Sequence, residues 1–229
     1  MAATIIDLSA PIRSGEGRLG MPAHFTTPFT VKEHGWQGST FSLFCHHGTH
    51  VDAPNHFLRD RAAIHEVPLH SLIGSGAVVD LSDHDANAAI KGDVLEERGR
   101  EVRSGDILIL RTGWSDKYWG TDTFWSSGPF LAPGGADWIV ERGVKAVVYD
   151  FSEEAQTRIP GWHGKDCVIH HRILGSDIYN IEYVQNLGKI RQSRVAIMAL
   201  PLNLVGLDGS PTRVIAVEGM DMPREFSIR

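Results

Sequence analysis

The stretch Cys45–Phe57, CHHGTHVDAPNHF, decides how the rest of the chain is read. Its thirteen residues hold four of the chain's twelve histidines, one aspartate, a Gly-Thr and an Ala-Pro. Three chemistries fit such a run: a metal site, a nucleophile–base pair, or a polar loop that is merely rich in histidine. His46, His50, Asp52 and His56 share one parity. Alternate side chains of an extended chain point to one face, so these four point one way and His47 and Val51 the other. A helix does this less well, because Asp52 falls roughly 160° round the cylinder from His50 and Pro54 breaks the run. A straight strand, however, separates His46 from His50 by ~13 Å, too far for a shared ion with ligand bonds of about 2 Å. The chain is therefore expected to bend at His47-Gly48, where glycine tolerates a positive φ, with Pro54 stiffening the run towards His56. Imidazole and carboxylate groups gathered by such a bend suit a hard-to-borderline divalent ion. Histidines that each make one hydrogen bond and do nothing more remain the plain alternative. A Cys45–His46 pair is disfavoured, because adjacent strand residues point to opposite faces.

A site of this kind needs ligands from elsewhere. The other dense spot is VIHHRILGSDIYNIE (168–182), with His170, His171, Asp177 and Glu182. As one helix it would hold residues 170 and 182 ~18 Å apart. Gly175-Ser176 interrupts the period and IYNIE alternates like a strand, so a helix turning back into a strand would bring His170 and Glu182 together. A helix surface with two solvated histidines and an acid fits the same residues. His24, His34, His65, His70, His84 and His163 read as surface or satisfied histidines, with His163 in PGWHGKD the best placed of them to lie near a substrate.

Length and composition narrow the classes. The chain has 229 residues, 42% apolar and 22% charged, with a formal net charge of −6. That length is ample to bury a core, and the charge argues against a nucleic-acid binder, which needs a basic face. The start, MAATIIDLSAPIRSG, lacks a basic region followed by an apolar one and does not read as a secretory signal. No apolar run approaches the ~20 residues of a membrane span. Two cysteines, Cys45 and Cys167, are too few for a disulfide framework and read as reduced thiols of a cytoplasmic protein. A strained G-x-S-x-G elbow is missing, and GSG (74–76) precedes a strand, which fails the dinucleotide pattern.

Short β-branched runs recur at 4–9, 26–31, 40–44, 77–81, 106–112, 145–151, 194–200 and 213–219 and read as strands. ILIL, AVVY and VAIMAL are continuous, which predicts strands covered on both faces. Helices are expected at DVLEERGREV, with Asp93 and Glu96 as a capping box, over roughly 134–142 between Pro133 and Gly143, and at CVIHHRILG, ending at Gly175. With no repeat and no composition break, the expectation is one α/β domain over 1–229. Strand order cannot be read from these patterns.

The stretch HHGTHVDAPNH resembles the H-x-G-[TA]-H-x-D-x-P-x-H signature of the metal-dependent cyclase-like hydrolases, a family that includes bacterial kynurenine formamidase and isatin hydrolase. DLSAPI near the start, RTGW at 111–114 and HHRILGSDIYNIEYVQNL at 170–187 resemble its other blocks in the same order, so the likeness covers nearly the whole chain. It implies a mixed sheet in a swivelling β/β/α fold and a homodimer or homotetramer. It also implies one or two divalent ions, zinc or manganese, on His46, His50, Asp52, His170 and Glu182, with His56 catalytic. His170 rather than His171 follows from the family's spacing to the glutamate. The implied reaction is metal-dependent hydrolysis of an aryl formamide, or ring opening of a cyclic amide or lactone, on a small aromatic or cyclic substrate. Trp36, Phe41, Phe44, Trp114, Trp119 and Trp162 are candidate walls for a planar substrate. Two departures, LGMPAHF (19–25) in place of a Pro-Gly-Asp block and DFSEEAQ (150–156) in place of an Asp-Thr-Pro-Ser-like segment, bear on the substrate. A non-catalytic metal-binding protein is the alternative of another class.

Overall fold

The computed structural model describes residues 3–220 and 222–223. Its main sheet has eight strands: β1 (Thr4–Asp7), β2 (His50–Asp52), β3 (Ile73–Asp80), β4 (Ile107–Arg111), β5 (Ala146–Tyr149), β6 (Tyr179–Glu182), β7 (Arg194–Pro201) and β8 (Gly209–Glu218). The order is β1-β8-β7-β3-β4-β5-β6-β2, and β2 also pairs with β8, so seven strands close into a ring with β1 outside it. β3 to β6 run parallel, while β7, β8, β2 and β1 pair antiparallel with their neighbours. The seam depends on the length of β8. Its start, Gly209–Pro211, pairs with β2, and its end pairs with β1 on the same edge.

Helices α1 (Gly92–Arg98), α2 (Pro133–Arg142) and α3 (Val168–Leu174) cross between the parallel strands, with α2 packed against both others. Both faces of β4 and β5 are buried, as their unbroken apolar runs predict, whereas β7, which carries VAIMAL, leaves Met198 half-buried and Leu200 exposed. Ile107 and Ile109 of β4 pack with Ala146, Val148, Ile181 and Ile197 inside the ring. Leu108 and Leu110 turn outwards with Val147 and Tyr149, against Leu95, Trp138, Ile139 and Ile173 of the helices. The GSG of 74–76 belongs to β3: a Cβ on Gly76 would sit 2.7 Å from Ile197 Cγ1 and 2.8 Å from Ile109 Cδ1. Close packing across the ring, rather than phosphate binding, accounts for that glycine.

One helix start differs from expectation. α1 begins at Gly92 behind Lys91, which makes no side-chain cap, and Asp93 accepts from Val94 N instead of forming a box with Glu96. The cause is packing, since Gly92 lies against the Gly134 carbonyl of α2. The remaining strands include a hairpin, His24–Phe29 paired with Gly38–Ser42, that stands apart from the ring. No helix among the described residues is long and apolar enough to cross a membrane. Cys45 and Cys167 are both free.

Candidate metal centre

β2 and β6 lie antiparallel, with Glu182 opposite His50 and Ile181 opposite Val51. Val51 and Ile181 enter the core of the ring, so strand alternation sends His50, Asp52, Asn180 and Glu182 to the other face. His46 reaches that face through the bend expected at Gly48, which takes φ 63°. The same glycine has a second task. Its carbonyl accepts from His50 Nδ1 at 2.9 Å, which fixes the ring and aims Nε2 at Asp52 Oδ1, 3.2 Å away, and at Glu182 Oε2, 3.6 Å away. His46 Nδ1 meets Asp52 Oδ1 at 2.7 Å. The 3-10 turn Pro54–His56 then brings His56 over His46, with stacked rings 3.7 Å apart.

The second dense stretch folds back as its broken period suggested. α3 ends at Gly175, β6 follows, and His170 Nε2 lies 3.3 Å from Glu182 Oε1 and 3.7 Å from Asp52 Oδ2. All six residues singled out by the sequence, His46, His50, Asp52, His56, His170 and Glu182, thus meet in one place. His171 points away and bonds the Gly164 carbonyl. His163 is exposed and caps the turn Gly164–Asp166 through Lys165 N. His47 joins no ligand group, and the Cys45 thiol, raised by burial and by Asp208, lacks the character of a nucleophile.

Four residues of the centre escaped the sequence. Glu153 Oε1 is 3.2 Å from His170 Nε2, and Glu154 Oε2 is 3.2 Å from His170 Nδ1. Both lie just beyond the carboxyl end of parallel strand β5, where α/β sheets gather ligand groups, and that position was the available signal. Asn180 Nδ2 approaches Asp52 Oδ2 at 3.4 Å. Asp208 Oδ2, from the loop before β8, lies 2.9 Å from His46 Nε2 and 3.2 Å from His56 Nδ1. No spacing connects Asp208 to residue 46; the seam of the ring does.

The electrostatics point to a cation. Asp52, Glu153, Glu154 and Glu182 are each at most 2% exposed, and every ion-pair distance they make is to a histidine. Among the described residues Glu153 Oε2 has no hydrogen bond, and Glu182 Oε1 has only the 3.3 Å approach of His170 Nε2, short of good hydrogen-bond geometry. Burial and the neighbouring Glu182 push the Glu153 carboxyl well up. Burial opposes charge on His46, yet hydrogen bonds to Asp208 and Asp52 outweigh it and lift the ring to about 9. Buried carboxylates are costly unless paired or bound to a metal. Three groups offer ligand atoms within 4.8 Å of one another: His46, Asp52 and His56; His50, Asp52 and Glu182; Glu153, His170 and Glu182. Asp52 links the first two and Glu182 the last two, so the donor set fits one divalent ion or two adjacent ones.

Of the aromatic residues expected as walls, Phe44 and Trp119 border a cavity that His46 also lines. Trp114 is core, while Trp36 and Phe41 stand exposed on the separate hairpin. Trp162 lies in the turn after Ile159, half-buried.

Known proteins resemble this chain in sequence and in fold. A kynurenine formamidase of Bordetella petrii is 30% identical over 183 residues, covering 79% of this chain and 80% of that one. A solved structure described as a predicted metal-dependent hydrolase from Bacillus stearothermophilus is 26% identical, covers 95% of this chain and 100% of its own, and has a TM-score of 0.76. An isatin hydrolase bound to the product analogue thioisatinate matches with a TM-score of 0.81 over 94% of this chain and 92% of its own, at 17% identity, a likeness of fold. The family model described as a putative cyclase matches residues 6–153, from β1 through the whole His46–His56 run to Glu153; the chain belongs to that cyclase family.

Proposed function

We propose that this protein is a metal-dependent hydrolase of carbon–nitrogen bonds other than peptide bonds, acting on an aryl formamide or a cyclic amide. The observation that carries the reading is the cluster of four buried carboxylates whose ion partners among the described residues are all histidines, with Glu153 Oε2 left without a hydrogen bond there. His46, His50, Asp52, His170 and Glu182 would hold one or two divalent ions, zinc or manganese. A divalent ion bound there lowers the pKa of water towards neutrality and polarises a carbonyl.

The chain's own residues supply the rest. Glu154 and the Gly48 carbonyl hold the Nδ1 atoms of His170 and His50, so both Nε2 atoms face inwards, the outer support usual for metal-bound histidine. His56 is the proton carrier. Its Nδ1 faces Asp208 and its ring is braced on His46, which leaves Nε2 to take a proton and return it to the leaving nitrogen. Hydrogen bonds from His46 and His56 hold the Asp208 carboxyl far below the usual range, so it stays an acceptor throughout. Phe44 and Trp119 would position a planar substrate. A closed structural metal site is the weaker alternative, because this centre borders a cavity and the His56 side chain is 23% exposed, whereas structural sites leave no open position.

Assembly as a homodimer belongs to the same reading. Phe25, Phe29, Trp36 and Phe41 of the outlying hairpin are 41–64% exposed, and a two-stranded hairpin that buries neither face is marginal alone. A panel of formanilides, isatin-like lactams and lactones, offered to metal-loaded protein, tests the activity. Hydrolysis of a formamide or lactam is expected, and turnover of lactones alone would move the reaction class to esters.

A further inference from the structure

The cavity beside His46 has a volume of about 350 Å³ and is walled by Phe44, Trp119 and Trp125. An arginine also lines it. Arg18, at the end of the two-residue strand Gly17–Arg18, lies half-buried with its guanidinium carbon 4.0 Å above the Trp125 ring. Its Nη1 is 3.5 Å from the Tyr183 hydroxyl. Tyr183 follows Glu182 directly, and its ring is 5.3 Å from that of His50. Arg18 is therefore fixed to the same framework that carries the candidate ligands, from the substrate side.

Among the described residues, no carboxylate makes an ion pair with Arg18. Two acids border the same cavity, and both are otherwise placed. Glu16 pairs with Arg13 at 3.5 Å, and Asp122 opens the helix Asp122–Ser127. A guanidinium stacked on an indole keeps its fork of N–H donors in one plane, the geometry that binds a carboxylate through two parallel hydrogen bonds. Stacking also removes water from one face of the ion, which makes an arriving anion more favourable than bulk solvent alone would.

We infer that Arg18 is a specificity determinant that binds a carboxylate of the substrate, so that the preferred substrates are aromatic amides carrying a carboxylate. Resting on the hydrolase reading of the adjacent centre, this places the aromatic ring between Trp119, Trp125 and Phe44, with the amide carbonyl towards His46 and the anion on Arg18. Water adds to the amide carbonyl, the C–N bond breaks, and the nitrogen leaves protonated.

The test compares kcat/KM for N-formylanthranilate and formanilide with metal-loaded wild type, Arg18→Lys and Arg18→Gln. Wild type is expected to favour the carboxylated substrate, and Arg18→Gln to lower that ratio about ten- to hundredfold, chiefly through KM, the scale of a lost hydrogen bond to a charged group. Arg18→Lys, which keeps the charge and loses the fork, should fall between. A ratio that moves less than twofold in Arg18→Gln overturns the inference. If wild type turns over neither compound, calorimetric binding of anthranilate to the same metal-loaded proteins separates the two ideas. Binding weakened at least tenfold in Arg18→Gln keeps the anion subsite while the hydrolase reading fails, and equal binding in both proteins removes the subsite.

Discussion

His56 differs from its neighbours in being half-buried, bonded through one nitrogen only, and stacked on a ring that belongs to the buried cluster. Those traits suit a proton carrier better than a ligand. His56→Ala should therefore retain its metal, read by elemental analysis, while hydrolysis falls about 10²- to 10⁴-fold, the usual contribution of a positioned acid–base group. Loss of metal in step with activity would instead make His56 a ligand of the His46–Asp52 group. Asp150 offers a second test, away from the centre. It is wholly buried and accepts from Thr112 N, Thr112 Oγ1 and Gly113 N, which ties the RTGW loop to the end of β5. Burial outweighs those bonds and lifts its carboxyl from 3.8 to about 6. A carboxyl raised in the folded state favours folding below its unfolded value, and that contribution is lost as pH rises from about 4 through about 6. A rise from 3.8 to about 6 corresponds to roughly 3 kcal/mol. Carbon-13 titration of the Asp150 carboxyl should show a midpoint near 6; a midpoint at or below 4 would contradict this account.

At the scale of elements, the bend at Gly48 does the most for the site. Its φ of 63° costs an L-residue about 1–2 kcal/mol, whereas a Cβ there would meet only Ile12 Cγ1 at 3.5 Å. Gly48→Ala is thus expected to lose about that much stability and so unfold at lower denaturant, and to bind metal more weakly because the carbonyl that aims His50 moves. An unchanged midpoint would mean that the turn is not strained. This bend was legible in the sequence because one length argument, ~13 Å against bonds of about 2 Å, required it. The strand at 179–182 was legible for a related reason. Its alternation reflects two different neighbours, with Tyr179 and Ile181 facing the core and Asn180 and Glu182 facing Asp52, His50 and His170. Asp93 misled, since packing of α1 on α2 placed the helix start ahead of it. Glu153 and Glu154 were marked by their place just beyond the end of β5 and by a departure from the family's pattern, and Asp208 carried no local signal at all.

For the whole molecule, the α/β class followed from unbroken apolar strands between helices, but ring closure did not. The seam is made by β2, three residues long, sharing one edge of β8 with β1, and a pairing that short leaves no pattern to read. The exposed hairpin belongs to this scale too. If a second copy covers it, light scattering should find a dimer or larger assembly, and replacing Phe41 with Asp should shift the protein towards monomer; a wild-type monomer would end the argument for assembly. Whether buried carboxylates and histidines from β2, α3 and β6 form a divalent metal centre that hydrolyses amides is tested most directly by titrating zinc or manganese into metal-stripped protein while following formamide or lactam hydrolysis. Activity is expected to be absent at the start and to rise to a plateau at one or two equivalents per chain, whereas full activity in the stripped protein, unchanged by added metal, would contradict it.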